Sequence, residues 1–471
     1  MPFVVHNTYS KRKETFEPLE PGVVRMYNCG PTVYGRQHIG NFRSFLFADL
    51  LRRWFEYLGY EVRQVMNITD VGHLVADADE GEDKIQVQAR KEGKDPFAIS
   101  RHYADLFLDD VKRLGVRPPL LYPRATEHIE EMLEIVDALV AKGNAYQVGE
   151  DVYFDVRSFD RYGKLSGNRV EDLEAGARID VREEKRHPAD FALWKSDPSH
   201  LMKWRSHYGE HGFPGWHIEC SAMARKHLGD QIDVHTGGED NIFPHHECEI
   251  AQTEAFTGKP FARYWMHAKF LQVDGGKMSK SLGNVYTLDD VEERGFDMRT
   301  LRFALMRGHY RQPLNFTWKI MEESRSALAS LDEMTAKLEH RALTAGDDGA
   351  DAGKAELEAS IAAFEAGMND DLNVPIALAA LFGLRDHALQ DRFGRETAKA
   401  ALAFLGRADQ VLGFVLPAKG DDDAEIDELV RRRDDARRNK DWAESDRLRD
   451  LLDARGVVVQ DSKDGGIWRR K

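Results

Sequence analysis

Two short segments carry residue types that could handle a nucleotide. His38-Ile39-Gly40-Asn41 follows a β-rich run, Val23 to Cys29. It opens a stretch, Asn41 to Leu58, whose apolar residues Phe47, Leu50, Leu51, Trp54 and Leu58 share one helical face. A helix start exposes free N–H groups and the positive end of a dipole, so it can hold an anion. Gly40 permits close approach to the backbone, and His38 adds a donor for phosphate or ribose oxygens. Lys277-Met278-Ser279-Lys280-Ser281 lies between Gly276 and Gly283, and two lysines three apart in a glycine-flanked loop can neutralise phosphate. Taken alone, the first reads more simply as a helix cap and the second as a solvated loop. Their joint occurrence, in this order and each after a strand, argues for a nucleotide site.

The elements that must position these residues are legible. Glu61 to Thr69 is a second strand, so strand, helix and strand form a βαβ unit, expected to be parallel and right-handed. Ligands in such sheets sit at the strands' carboxyl ends, here Cys29-Gly30 and Thr69-Asp70. Residues 125–210 read as an insertion, with a helix near 127–142 and a β-rich part around DVYFDV (151–156). The α/β pattern resumes with a helix over His217 to Leu228, a short strand over Ile232 to His235 and a helix opened by Pro244. One strand over 266–273 runs into the lysine loop. From about 318 the chain is helical, with linkers at 344–354 and 416–425. A charge-dense helical unit with a short β tail closes it.

Composition excludes several classes. With 471 residues, 42% apolar and 31% charged, the chain suits roughly three domains with real cores. Its longest apolar stretch is about nine residues, whereas a membrane span needs about 20. The N-terminus lacks an apolar leader core, so no secretory signal is expected. Three widely spaced cysteines, Cys29, Cys220 and Cys248, suit a reducing cytoplasm and, without a CxxC pair, read alone as buried apolar residues. The net charge of −15 argues against indiscriminate nucleic-acid coating. From Leu429 to Lys471, however, 13 Lys+Arg face 9 Asp+Glu, a local excess of +4.

HIGN and KMSKS resemble the HIGH and KMSKS signatures of class I aminoacyl-tRNA synthetases, with an amide in place of the second imidazole. CGPTVY (29–34), NITD (67–70), PRATEHI (123–129), KLSG (164–167), AGAR (175–178), GWHIECSAM (215–223), FPHHE (243–247), KMSKSLGN (277–284) and WRRK (468–471) further resemble the cysteinyl-tRNA synthetase family, in its order and over nearly the whole chain. HTGGEDN (235–241) departs from the usual HGGGxDL, and Cys248 stands where an Asn is usual.

The resemblance implies a fold, a chemistry and a set of sites. The fold would be α/β: a class I Rossmann-like catalytic domain split over 1–124 and 211–265, the insertion at 125–210, a KMSKS-bearing connecting region at 266–317, a helical bundle at 318–415 and an anticodon-binding module at 425–471. The activity would be ATP-dependent activation of L-cysteine and transfer to tRNA-Cys, by a monomer. Mg²⁺ would accompany ATP, and one zinc per chain would be held by Cys29, Cys220, His245 and Glu249. His245 and Glu249, at i and i+4, would share a helical face. Cys248, at i+3, is a softer rival to the carboxylate, but the family's pattern implies Glu249 as the ligand and Cys248 as a neighbouring non-ligand. His38, Gly40, Asn41, Lys277, Ser279, Lys280 and Ser281 would bind ATP, with His38, Asn41, Lys277 and Lys280 acting on the moving charge. Thr69, Trp216, His235 and Asp240 would line the cysteine pocket. Trp468, Arg469 and Arg470 are candidates for tRNA contact. Two other readings stay open: the cysteine ligase of mycothiol biosynthesis, which uses no tRNA, and a non-catalytic RNA- or nucleotide-binding paralogue.

Overall fold

The computed structural model describes residues 1–72, 74, 82–170, 185–278, 283–344, 352–390, 392–417, 423–462 and 465–470, without the side chains of 277, 423, 424, 460, 462, 467, 469 and 470. It divides into two compact units, residues 2–298 with 308–316, and residues 299–307 with 317–471.

The first unit is built on a four-stranded parallel sheet. Strand β1 (Val23–Asn28) leads through a loop to α1 (Ile39–Tyr57) and returns as β2 (Glu61–Met66), paired in parallel with β1. Helix α2 (Pro96–Arg113) follows. After the insertion come α3 (Trp216–Leu228), β3 (Ile232–Gly238), α4 (Glu247–Thr257) and β4 (Ala262–Ala268). The order is β4-β3-β1-β2, with every pairing parallel. The chain leaves β1 toward β2, while β3 lies on the other side of β1. Their carboxyl ends therefore flank a topological switch point, where α/β sheets bind ligands. A buried polar chain fixes this register: Gln64 Nε2 donates to Asn28 Oδ1 at 2.7 Å, and Asn28 Nδ2 donates to Thr236 Oγ1. Thr236 is the departure from the glycine usual in HGGGxDL, and this hydrogen bond gives its hydroxyl a partner.

The insertion contributes a helix, Ile129–Ala141, and a five-stranded antiparallel sheet whose last strand in sequence is Gly209–Pro214. Phe154 and Trp194 from this sheet share one continuous core with Tyr27, Val65, Ile218 and Trp265 of the parallel sheet and its helices. One expectation needs correction. Residues 266–273 are not a single strand: β4 ends at Ala268, and Leu271–Val273 joins a separate small sheet. The break falls where Lys269 N–H donates to Tyr310 C=O instead of continuing the parallel ladder. Helix α5 (Leu288–Glu293) follows the lysine loop.

The second unit holds helices Trp318–Thr344, Lys354–Asn369, Val374–Leu389 and Arg395–Leu412. Beyond them come α6 (Asp423–Arg438), α7 (Trp442–Ala454) and a hairpin of β5 (Val457–Ser462) and β6 (Gly465–Arg470). Ile426, Leu429, Val430, Leu448, Leu452 and Val457 form a small core of their own here. The local basic excess disappears once the helix boundary is known. Asp423, Glu425, Asp427 and Glu428 join the nine acids of 429–471, so 13 stand against 13. Among the described residues no helix is long and apolar enough to cross a membrane.

Candidate active site and metal centre

Four side chains meet at the switch point from four elements. Cys29 follows β1, Cys220 lies on α3, Glu249 on α4, and His245 in the wide turn Ile242–His246 that leads into α4. Their ligand atoms all lie within 4.8 Å of one another. Cys220 Sγ is 3.6 Å from His245 Nε2, Cys29 Sγ is 3.8 Å from Glu249 Oε1, and His245 Nε2 is 2.8 Å from the same oxygen. Cys220, His245 and Glu249 are buried and Cys29 is mostly so. Gly30 allows the close approach this needs: a Cβ there would stand 1.8 Å from Asn67 C=O. The expected helix start at Pro244 is modified, since Phe243 is extended (φ −142°, ψ 133°) and the regular helix runs from Glu247.

The electrostatics fit a cation. Burial pushes the Cys29 thiol up to about 11 and the Cys220 thiol well above its ordinary range. Burial also opposes charge on Glu249, but His235 and His245 outweigh it and hold the carboxyl well below the carboxylate range. His245 is raised to about 10 against the same burial, chiefly by Glu249. Two protonated thiols beside a coupled acid–imidazole pair are a set that a metal ion would deprotonate and bind.

Outer partners orient the four. His217 Nδ1 meets His245 Nδ1 at 3.0 Å, and Trp216 stacks on the His245 ring at 4.4 Å. His235 Nε2 meets Glu249 Oε2 at 2.7 Å and its ring stacks on Trp265, so this residue stands behind Glu249 in the core. Thr69 is buried at the end of the β2 segment, its Oγ1 accepting from Asn67 Nδ2 at 3.0 Å. Asp240 is exposed on the short turn Glu239–Asn241, and its charge reaches Cys29. Cys248 belongs to neither metal-capable group among the described residues; its Sγ lies against Tyr162 Oη at 3.5 Å in the core.

Sequence reasoning missed His246. Its Nε2 lies 3.1 Å from Cys29 Sγ and its Nδ1 2.8 Å from His267 Nε2, while His267 Nδ1 meets Thr8 Oγ1 at 2.8 Å. Cys29, His235, His246 and Glu249 make a second group able to hold a metal, sharing two members with the first. The adjacent histidines in FPHHE were the available signal.

His38 and Asn41 meet at the start of α1. His38 is the N-cap: its Nδ1 accepts from Asn41 N–H at 3.3 Å, and Asn41 Oδ1 accepts from His38 N–H at 3.1 Å. This reciprocal capping box uses Asn41's oxygen and leaves its amide NH₂ outside the box. Both edges of the lysine loop come here. A Cβ on Gly40 would stand 3.3 Å from Met278 Cε, and Ile39 N–H donates to Tyr286 C=O at 2.9 Å. Lys277 lies in a short strand with Gly276, while Ser279, Lys280 and Ser281 lie outside the described residues.

In the C-terminal module Trp468 pairs with Val459 across the hairpin and packs on the small core, and its indole N–H donates to Asp427 at 2.7 Å. The side chains of Arg469 and Arg470 lie outside the description. Trp442 is 58% exposed, with the Arg437 guanidinium 6.0 Å from its ring.

Residues 15–326 match the model of the tRNA synthetases class I (C) catalytic domain, 363–416 a DALR domain, and 420–469 the cysteinyl-tRNA ligase anticodon binding domain. The cysteine–tRNA ligase of Chlorobaculum tepidum is 44% identical over 99% of each chain, and that of Thermus thermophilus 45% identical over 100% of this chain and 99% of its own. Methionyl-tRNA synthetase of Mycobacterium tuberculosis, solved with methionyl-adenylate, superposes with a TM-score of 0.61 at 17% identity, covering 83% of this chain and 89% of its own. That likeness concerns the fold. With catalytic and anticodon-binding models both matched and relatives spanning the full length, the chain belongs to the cysteine–tRNA ligase family of class I aminoacyl-tRNA synthetases.

Proposed function

We propose that this enzyme activates L-cysteine with ATP and transfers it to tRNA-Cys, selecting cysteine with one zinc held by Cys29, Cys220, His245 and Glu249. The observation that carries this is the convergence of two thiols, an imidazole and a carboxylate within 4.8 Å of one another, with Cys29 at the end of the strand that leads to α1. Zinc prefers such nitrogen, sulfur and oxygen donors. When bound, it supplies an open coordination position that a substrate thiolate fills far better than a hydroxyl or methyl. A purely apolar pocket separates side chains differing by one methylene by only about 1–3 kcal/mol.

The chain's own residues do the rest. Trp216 and Thr69 bound the pocket, Asp240 receives the substrate ammonium, and His235 acts by holding Glu249. The cysteine carboxylate attacks the α-phosphorus of ATP and pyrophosphate leaves. The terminal ribose hydroxyl of the tRNA then attacks the acyl carbon and AMP leaves. His38, Gly40 and Asn41 hold the phosphates at the α1 start. Lys277 and Lys280, with Ser279 and Ser281, neutralise charge that moves in the transition state, alongside Mg²⁺ brought by ATP. No side-chain nucleophile is needed; positioning and charge neutralisation suffice.

Residues 425–471 read the anticodon in this proposal. Trp442 with Arg437 is the better base-stacking surface, because Trp468 spends its ring on the core and its N–H on Asp427. Arg469 and Arg470 contribute charge on sequence grounds. The domain boundaries read from the sequence and a monomeric state belong to the same proposal. The test is cysteine-dependent ATP–pyrophosphate exchange with metal analysis, followed by charging of tRNA-Cys. Exchange that ignores cysteine, or protein that exchanges but does not charge tRNA, would overturn the reading.

A further inference from the structure

Five charged side chains from three segments meet away from the metal-capable group. Arg36, in the loop before α1, donates from Nη2 to Asp110 Oδ1 at 2.9 Å and from Nε to Asp110 Oδ2 at 3.3 Å. Its Nη2 also donates to Asp289 Oδ1 at 2.9 Å, and its Nη1 to Asp289 Oδ2. Arg113 donates to Asp110 at 2.8 Å, to Asp289 at 2.9 Å and to Glu292 at 2.8 Å. Asp110 is fully buried on α2, while Asp289 and Glu292 are about half exposed on α5.

We propose that Arg36 is a positioning residue for the ATP-dependent step, forked between Asp110 and Asp289 so that the entry to the α1 N-terminus is tied to the segment following the lysine loop. The proposal rests on the functional reading above. Its argument is the division of labour between the two arginines. Arg113 also hydrogen-bonds both Asp110 and Asp289 and links α2 to α5. Arg36 adds the loop that delivers His38. Removing Arg36 therefore strands no carboxylate, yet it cuts the link to the phosphate-binding helix start. The same two segments are also joined by the Ile39 N–H to Tyr286 C=O bond. A planar guanidinium can serve two carboxylates in fixed directions, which a lysine ammonium does not.

The test uses the full-length holoenzyme and two readouts. In cysteine-dependent ATP–pyrophosphate exchange, Arg36→Met should raise the KM for ATP about tenfold and leave that for cysteine within about twofold. Arg36→Lys should restore only part of the loss. Asp289→Asn, which keeps the Arg36–Asp110 pair, should raise the ATP KM about threefold. In amide hydrogen exchange, Arg36→Met should weaken protection of Ile39 and of α5 while α3 and β3 stay unchanged. An unchanged ATP KM with unchanged protection overturns the proposal. So does a parallel rise of both KM values with a fall in melting temperature, which marks a merely structural arginine. If protection changes as expected but the native enzyme shows no cysteine-dependent exchange, the tie stands and the functional reading fails.

Discussion

The group around Cys29 and the C-terminal module handle charge in opposite ways. Around Cys29, Glu249, His235 and His245 are buried, and Glu249 and His245 depend on their neighbours for their charge state. Breaking a buried pair strands a charge and costs about 3–5 kcal/mol. In the module, Arg431, Arg438 and Arg447 pair with Glu428, Asp435 and Glu444 one helical turn away, at the surface. Such pairs compete with water and salt and add little individually. The first region is therefore vulnerable at every member. The second can lose almost any one charge and still fold, which suits a surface that must give up its own pairings to a polyanion.

The sharpest break of that contrast is a single atom in the buried group. Cys220→Ser should reduce bound zinc from about one per chain to near none and lower cysteine activation by about 100-fold or more, whereas Cys248→Ser should keep the metal. Elemental analysis decides; metal lost with Cys248→Ser and kept with Glu249→Gln would move the site. Because burial holds both thiols protonated, metal uptake must release protons, so apparent zinc affinity should rise with pH. A pH-independent affinity would count against the two cysteines as ligands.

Next in size is removal of the whole exposed module. Ending the chain after residue 417 should leave cysteine-dependent exchange within about tenfold, an allowance of ~1.4 kcal/mol, and depress aminoacylation by about 100-fold or more. The salt dependence of tRNA binding should flatten as phosphate contacts are lost. Undiminished charging would shift recognition to the helices beginning at Trp318.

Within the module the expected effects are smaller and separable. Trp442→Ala should raise the KM for tRNA about tenfold with exchange and melting temperature unchanged, since stacked bases contribute about 1–3 kcal/mol each. Trp468→Phe should do the reverse, weakening the module by about 0.5–1 kcal/mol through the lost bond to Asp427. If Trp468→Phe alone impairs tRNA binding, the hairpin is the reading surface. Smallest of all is Arg431→Met, which should leave the melting temperature unchanged. Arg433→Met should lower it, because that guanidinium is buried and holds Asp461 at 2.7 Å.

Part of this was legible in the one-dimensional pattern. The apolar spacing of Phe47, Leu50, Leu51 and Trp54 located α1 to within two residues at its start, because all four are buried; Leu58, the fifth of that pattern, is instead the exposed C-cap. The β1–α1–β2 unit and the resumption at α3 were readable for the same reason. The 266–273 stretch was misread because periodicity reports burial and cannot tell that Lys269 changes sheets. The basic excess of 429–471 is offset by the acids in the first turns of α6, because a charge window has no natural edge until that helix boundary is known. His246 went unread because nothing in HHE distinguishes an imidazole facing Cys29 from one facing Cys220.

By itself the sequence determined the local grammar: a glycine-rich helix start after a strand, a lysine loop after a later strand, and the motif order that marks the family. Residues close in the chain interact through short-range geometry, so these features survive without coordinates. The family resemblance named Cys29, Cys220, His245 and Glu249; tertiary structure brings them within 4.8 Å of one another and leaves Cys248 against Tyr162. It also decided that Trp468 is a packing residue and that Arg36 meets Asp289 across 253 positions. Those contacts join residues whose separation along the chain carries no distance information. For the metal-capable group, the parallel pairing of β1 with β3, with α3 before β3 and α4 after it, brings the four side chains within 4.8 Å of one another.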